Sequence, residues 1–524
     1  MSKRLTQSMY HVIYISFIAA LGGFLMGFDA SVISGVVKFI EPEFELTKIE
    51  LGWAVACLSL TATLAMMISG PLSDKFGRKA VLKMAAALFF ISAVLSALAP
   101  SFTLLVLARM LGGFGVGAAL IIAPMYIAEI APARYRGRLV SLNQLNIVIG
   151  ITVAFFSNYL ILSLSTSDAA WLQSFQLAQW NWRWMLGIEA LPALIYFLAL
   201  WLVPESPRWL MLKGDEQQAR KIIATTLPEE EVEPAISQIK ESLTKDENNS
   251  TAPLVSLFKP AMKLVLIIGV SVAILQQITG INAVFFYAPM IFEQTGMGTD
   301  AAFMQAIFVG ITNLVFTIVA IALIDRIGRK ALLIFGVGGI AVCMFSLALQ
   351  FAQATYTLDK AAMSGLPDSI TSSQLSPMQD VVYQDDLTFK SALRSNLGQQ
   401  QAQQHESTLI AAAIEVNQHL VLVSLLGFVA CFAMSLGPVM WVLFSELFPN
   451  RIRGIAISFV GLINSATSFL VQLIFPWELA TLGVALTFAM YGIFAVIGLV
   501  IIYALLPETK GKTLEQLEAI LVRN

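Results

Sequence analysis

Ionisable side chains are scarce in this sequence: 13 % of its 524 residues are charged, three are histidine and three are cysteine. Cys57, Cys343 and Cys431 stand far apart inside apolar runs, without metal-ligand or redox spacing, and read as small packing residues. His11, His405 and His419 lie at or outside the ends of such runs, and no nucleophile or metal constellation emerges, which argues against an enzyme, a catalytic residue, a metal site or a cofactor. The formal net charge of −2 offers nothing to nucleic acid.

What fills the sequence is apolar: 57 % of residues are hydrophobic and the mean hydropathy is +0.77, more apolar surface than a soluble domain can bury. A bilayer core about 30 Å thick is crossed by roughly 20 apolar residues in a helix. Such runs recur over 11–37, 51–72, 81–99, 102–125, 139–164 and 183–203, and again over 262–292, 301–324, 331–353, 419–444, 455–475 and 482–506. The fold class predicted is an all-α membrane protein of twelve transmembrane helices. The first run is too long for a cleaved signal peptide and lacks a small-residue cleavage site, so it reads as a retained helix. Most of the 32 Lys and Arg residues fall in the loops on one side, which places both termini in the cytoplasm.

The twelve runs are two copies of six. Asp74-Lys75-Phe76-Gly77-Arg78-Lys79 returns as Asp325-Arg326-Ile327-Gly328-Arg329-Lys330. Glu129 with Arg136-Gly137 returns, at unchanged internal spacing, as Glu446 with Arg453-Gly454. Pro204-Glu205-Ser206 closes the first copy as Pro507-Glu508-Thr509 closes the second. The offset between copies grows after the first signal by nearly the length of the polar stretch 354–418. That stretch is therefore an external insertion, with a Gln-rich tract at 399–404. The expected domains are a six-helix bundle over 1–207, a cytoplasmic linker with short helices over 208–260, and a second bundle over 261–524 that carries the insertion.

A few polar residues stand where lipid should exclude them. Asp29, Arg109 and Glu189 lie within the first, fourth and sixth runs, where an uncompensated charge costs about 2.5 to 3.5 kcal/mol or more. All three sit roughly 10 Å from the external ends of their runs at 1.5 Å per residue. Two carboxylates and one guanidinium carry a net −1 that a single proton cancels, so the trio is a candidate proton site; the alternative is an ion-paired cluster that only joins helices. The seventh run holds Gln276-Gln277-Ile278-Thr279-Gly280-Ile281-Asn282. On an ideal helix Gln276, Gln277 and Asn282 would point near 0°, 100° and 240°, so their convergence on one ligand requires the helix to break near Gly280. Neutral amides supply donors and acceptors without the desolvation cost of a charge, which suits a hydroxyl-rich solute. Gln144, Asn313 and Asn464 add three more, and Trp441 offers a face on which a pyranose could stack; each alone is also explained as glue or packing between helices. The glycines at 112, 113, 115 and 117 follow no strand and read as close helix packing, not a dinucleotide loop.

These signatures together resemble the sugar porter branch of the major facilitator superfamily over essentially the whole chain outside the insertion. They are Gly70-Pro71-Leu72-Ser73-Asp74-Lys75-Phe76-Gly77-Arg78-Lys79, Pro204-Glu205-Ser206-Pro207-Arg208-Trp209-Leu210, the seventh-run segment 276–282, and Pro507-Glu508-Thr509-Lys510-Gly511. The resemblance implies two six-helix bundles around a central cavity, alternating access, and a multi-pass protein of a bacterial inner membrane. It implies a cytoplasmic gate of Asp74, Arg78, Glu129, Arg136, Glu205, Asp325, Arg329, Glu446 and Arg453. It implies a monosaccharide, hexose or pentose, held by Gln144, Gln276, Gln277, Asn282, Asn313, Trp441 and Asn464. Ser465 departs from the aromatic many relatives carry beside the residue matching Asn464, which removes an apolar wall of the pocket. Proton-coupled members resemble this chain in having an acid at Asp29 opposite the fourth-helix arginine, where facilitators commonly carry an amide. Symport of sugar and proton by a monomer is the reading implied. A proton-independent uniporter is the runner-up, and a non-transporting sensor is disfavoured by the short tail from Pro507 to Asn524.

Overall fold

Apolar runs of this length become helices because no water is present in a bilayer to satisfy a bare backbone, so each N–H and C=O must find its partner within the segment. The computed structural model describes residues 2–132, 134–167, 173–248, 254–364, 366, 370, 372–449, 452–510, 512 and 516–517. Eleven segments among them are helical, long and apolar enough to span a membrane. The first half comprises α1 (Ser2–Glu43), α2 (Lys48–Phe76), α3 (Arg78–Ala97), α4 (Phe102–Ile130) and α5 (Arg136–Ser165), then α6 (Asn181–Gly187) and α7 (Ala190–Ala199). The last two are the sixth run, expected as one helix but interrupted at Ile188 and Glu189. There the Leu191 N–H bonds the Ile188 carbonyl at 3.2 Å, a tightening to the three-residue spacing that shortens both pieces.

The linker folds into α8 (Pro207–Leu212), α9 (Glu216–Thr226), capped by Asp215, and α10 (Glu229–Asn248), around a small core of Ile223, Val232 and Ile236. The second half begins with α11 (Lys263–Ile278) and α12 (Ile281–Glu293), the two pieces of the seventh run. It continues with α13 (Thr299–Ile327) and α14 (Arg329–Ala352). The insertion then contributes β1 (Thr355–Thr357), α15 (Lys360–Ser364), α16 (Ser372–Leu375), β2 (Val382–Tyr383), α17 (Asp386–Leu397), α18 (Gln399–Gln404), α19 (Glu406–Ala413) and β3 (Ile414–Glu415). The last spans are α20 (Gln418–Met434), α21 (Leu436–Leu447), α22 (Arg453–Thr481) and α23 (Val484–Leu505).

The chain divides into two compact units that do not follow the sequence halves throughout. One holds 1–31, 57–154 and 183–253; the other holds 32–56, 155–182 and 254–524. In the first, the fourth-helix glycines act as close-packing positions: a Cβ at Gly117 would fall 2.1 Å from the Ala62 carbonyl and one at Gly113 2.4 Å from that of Leu58, so α4 lies directly on α2. Tyr126, Tyr196 and Phe89 fill the core beside it. In the second unit α14 packs along α20 and α23, and α11 along α22. Phe335, Val342 and Tyr503 are at least 70 % exposed on these helices, as side chains facing lipid are.

The insertion is a small folded body. Its strands pair in the order β2-β1-β3, all antiparallel, and Tyr356 stacks on Phe389 with ring centroids 5.4 Å apart over a core that includes Leu358, Met378, Leu393 and Ile410.

Candidate functional site

Three clusters collect the polar residues singled out by sequence. The first lies in the first unit, where Asp29 on α1, Arg109 on α4 and Glu189 at the α6–α7 interruption are each no more than 3 % exposed. Arg109 Nη1 stands 3.5 Å from Asp29 Oδ1, while Asp29 Oδ2 and Glu189 Oε1 have no hydrogen-bond partner among the described residues. A buried carboxylate oxygen without a donor is costly, and a proton is the smallest group that relieves it. Gly112 makes the room: a Cβ there would fall 2.7 Å from Asp29 Oδ2 and 2.6 Å from Ser92 Oγ.

The second cluster lies in the second unit, at the break in the seventh run. Gly280 takes φ +89°, a left-handed conformation that glycine adopts at no steric cost, and a Cβ there would also strike Tyr491 at 2.6 Å. The break ends α11 at Ile278 and lets the amides on either side of it meet. Gln277 Nε2 donates to Gln276 Oε1 at 3.1 Å and to Asn464 Oδ1 at 3.2 Å. Asn282 Nδ2 donates to Gln277 Oε1 and to Ser468 Oγ, both at 2.7 Å. Asn464 Nδ2 donates to Gln276 Oε1 and the Ala273 carbonyl at 2.8 Å, and Gln276 Nε2 donates to the Leu436 carbonyl at 3.0 Å. Gln472 Nε2 reaches Ser468 Oγ at 2.8 Å.

Ser468 and Gln472 were not anticipated, yet with Asn464 they form a polar stripe at four-residue spacing along α22, a signal visible in the sequence. Asn313 is buried on α13, Trp441 is 47 % exposed on α21 with its ring edge-on to Phe444, and Gln144 is exposed on α5 in the first unit. None of these three is part of the hydrogen-bonded cluster.

The third set is duplicated, one copy in each unit. Arg78 grips Glu129 through Nε at 3.0 Å and Nη2 at 3.1 Å, and reaches Asp74 through Nη1 at 2.8 Å. Ser206 Oγ donates to the same Glu129. Glu205 caps the start of α3 by accepting from the Lys79 N–H at 3.1 Å. In the second copy Arg329 Nη2 meets Glu446 at 2.8 Å and Thr509 Oγ1 donates to Glu446 at 2.6 Å. Glu508, absent from the residues anticipated, caps α14 as Glu205 caps α3. Burial pushes its carboxyl up, but the N–H groups of Lys510, Arg329, Lys330 and Thr509 outweigh that and hold it below the ordinary range. Gly77 and Gly328, at φ +97° and +103°, turn the chain between each pair of helices. Arg136 is exposed and Arg453 donates to the Phe448 carbonyl; among the described residues neither is paired with an acid. The side chain of Asp325 and all of Gly511 lie outside the described residues.

Comparison with known proteins matches residues 15–367 and 402–521 to the family described as "Sugar (and other) transporter". A D-xylose-proton symporter of Escherichia coli (strain K12) is 35 % identical over 546 residues, spanning 97 % of this chain and 96 % of that protein. An arabinose-proton symporter of Bacillus subtilis (strain 168) is 31 % identical, over 99 % and 97 %. Among solved structures, the inward open conformation of the xylose transporter XylE from E. coli is similar with a TM-score of 0.74 at 33 % identity, covering 97 % of this chain and 100 % of that one. The same comparison with the proton:xylose symporter bound to 6-bromo-6-deoxy-D-glucose gives 0.67 at 34 % identity, covering 98 % and 100 %.

Proposed function

Since this chain belongs to the sugar transporter family of the major facilitator superfamily, with its twelve-helix membrane fold, we propose that it imports a monosaccharide together with a proton by alternating access. The observation that carries the coupling is the buried Asp29, one oxygen facing Arg109 and the other without a donor. A carboxylate so placed is stabilised by the guanidinium when charged and relieved of its unsatisfied oxygen when protonated. The two forms then prefer different surroundings, and that difference lets a proton bias a conformational equilibrium. Glu189, equally buried, is the second carboxyl of the trio.

The sugar is assigned to the amides around the Gly280 break. Gln277, Asn282 and Asn464 hold one another in a chain of neutral donors and acceptors, so a hydroxyl-bearing ligand can exchange partner for partner without stranding a buried polar atom. Gln276 is fixed by a backbone carbonyl and orients the others. Gln144, Asn313 and Trp441 are assigned to the same substrate on the strength of the family pattern. Asp74, Arg78, Glu129, Arg136, Glu205, Asp325, Arg329, Glu446 and Arg453 are assigned to a cytoplasmic gate. Both termini are cytoplasmic in this reading, the insertion is external, and the monomer is the working unit.

The test is uptake of radiolabelled D-xylose, arabinose, glucose, mannose and galactose into proteoliposomes, with and without an inward proton gradient. At least one sugar is expected to rise above its external concentration only when the gradient is present. Equal, gradient-independent equilibration would make the protein a uniporter. Failure of all five would reject a monosaccharide substrate.

A further inference from the structure

The middle of the insertion, residues 368–401, lies outside the family match. The insertion is fastened at two ends. On one side Lys390 of α17, 6 % exposed at its side chain, donates to Gln294 Oε1 at 3.2 Å and to Asp386 at 3.0 Å, with Glu406 at 3.7 Å, which ties α17 and α19 to the outer end of α12. Ser407 Oγ donates to Glu293 at 2.9 Å, and Gln418 Nε2 to the Thr295 carbonyl at 3.1 Å. On the other side the Gln-rich α18 lies against the loop that joins α1 to α2. Gln403 Nε2 donates to Glu41 at 3.1 Å and to the Leu46 carbonyl at 3.2 Å, and Gln400 Nε2 to Glu45 at 2.9 Å.

The charges across this seam interlock. Glu293 accepts from Lys38 of α1 as well as from Ser407, and Glu41 accepts from Lys48 as well as from Gln403. Burial pushes the Glu406 carboxyl up, but Lys48, Lys390 and Arg394 together hold it below its ordinary value, so α19 is bound electrostatically to the start of α2 as well as to its own neighbours. Together with Trp53 edge-on to Phe469 and Phe39 beside Phe303, these contacts join segment 32–56, from the first six-helix copy, to residues of the second copy within one compact unit.

We propose that the insertion is an outer clasp: α18 and α19 hold the α1–α2 loop against the outer end of the seventh span, and must let it go each time the transporter opens to the outside. A glutamine tract suits the task. Its bonds to carboxylates and a carbonyl are individually modest and exchange readily with water, so the clasp biases the equilibrium between conformations without freezing it. The proposal rests on the transport reading and on the external placement of the insertion.

Cysteines placed by Glu41→Cys and Gln403→Cys, bridged with a short bifunctional methanethiosulfonate that reductant removes, test it in proteoliposomes, with reagent-treated wild type as control. Bridging is expected to lower sugar uptake at least tenfold, with recovery on reduction. Bridged uptake within twofold of unbridged, or no bridge formed at all, would overturn the clasp while leaving transport itself intact; uptake absent from untreated wild type would instead sink the transport reading. A second variant, Gln403→Ala with Ser407→Ala, should lower the apparent KM for external sugar two- to tenfold, because a larger fraction of the protein is then competent to bind from outside. An unchanged KM in that variant also contradicts the proposal.

Discussion

Asn at position 29 should leave this transporter able to equilibrate sugar but unable to concentrate it. The amide is nearly isosteric with the carboxyl, so the packing made possible by Gly112 survives, whereas the carboxyl that faces Arg109, able to alternate between a charged partner and a neutral acid, is lost. With one proton carried per sugar, a membrane potential of 100 mV supplies about 2.3 kcal/mol. At about 1.4 kcal/mol per factor of ten, this corresponds to roughly 50-fold accumulation. The wild type is expected to approach that ratio, and Asp29→Asn to fall to unity while sugar exchange across the membrane continues within a few-fold of the wild-type rate. The measurement is the steady-state ratio of labelled sugar under a potassium-valinomycin potential. Accumulation retained by Asp29→Asn but lost in Glu189→Gln would move the proton to the other carboxylate.

Removal of the Gln277 amide should weaken sugar binding sharply, at a modest cost to the fold. This side chain donates to Gln276 and Asn464 and accepts from Asn282, so Gln277→Ala strips Asn464 Oδ1 of a donor and Asn282 of an acceptor in a buried setting. Each stranded group costs about 1–3 kcal/mol, and a bound sugar loses its contacts as well. The expected result is a 10- to 100-fold rise in KM, equivalent to about 1.4–2.7 kcal/mol, with the maximal rate less affected. Uptake kinetics give the KM, and loss of the sugar-dependent rise in melting temperature checks binding independently of transport. A KM within twofold of wild type would remove Gln277 from the substrate site.

Much of this architecture was legible because the bilayer constrains a sequence so strongly. The apolar runs gave the spans, and the paired motifs around Arg78 and Arg329 gave the duplication, since the same turn through Gly77 and Gly328 recurs, with Glu129 answered by Glu446 and Glu205 by Glu508. The break at Gly280 followed from three amides that an intact helix would have scattered. Elsewhere the signal was too weak or too distant. The interruption at Ile188 and Glu189 is flanked by Gly187 and Pro192, signals hidden within one long apolar run. Ser468 is an ordinary residue in a span, and only its register with Asn464 and Gln472 marks it. Glu508 was seen as part of a repeat and not as the cap of α14, because two of the four N–H groups it accepts from, those of Arg329 and Lys330, lie on a helix far away in sequence. The insertion announced its length and polarity but not its fold: strands of two or three residues are set by long-range contacts such as Tyr356 on Phe389, and composition alone presents the Gln tract as low complexity where the structure has a helix with defined partners.

The claim at the centre of this account, that sugar and proton cross together, can be measured without any imposed proton gradient. Sugar added outside proteoliposomes that hold a trapped pH-sensitive dye, with the membrane potential clamped at zero, should acidify the lumen in the wild type, at about one proton per sugar taken up, and should leave the Asp29→Asn lumen unchanged. Sugar entry at the wild-type rate with no acidification would contradict it and leave a facilitator in which Asp29, Arg109 and Glu189 only hold three helix segments together.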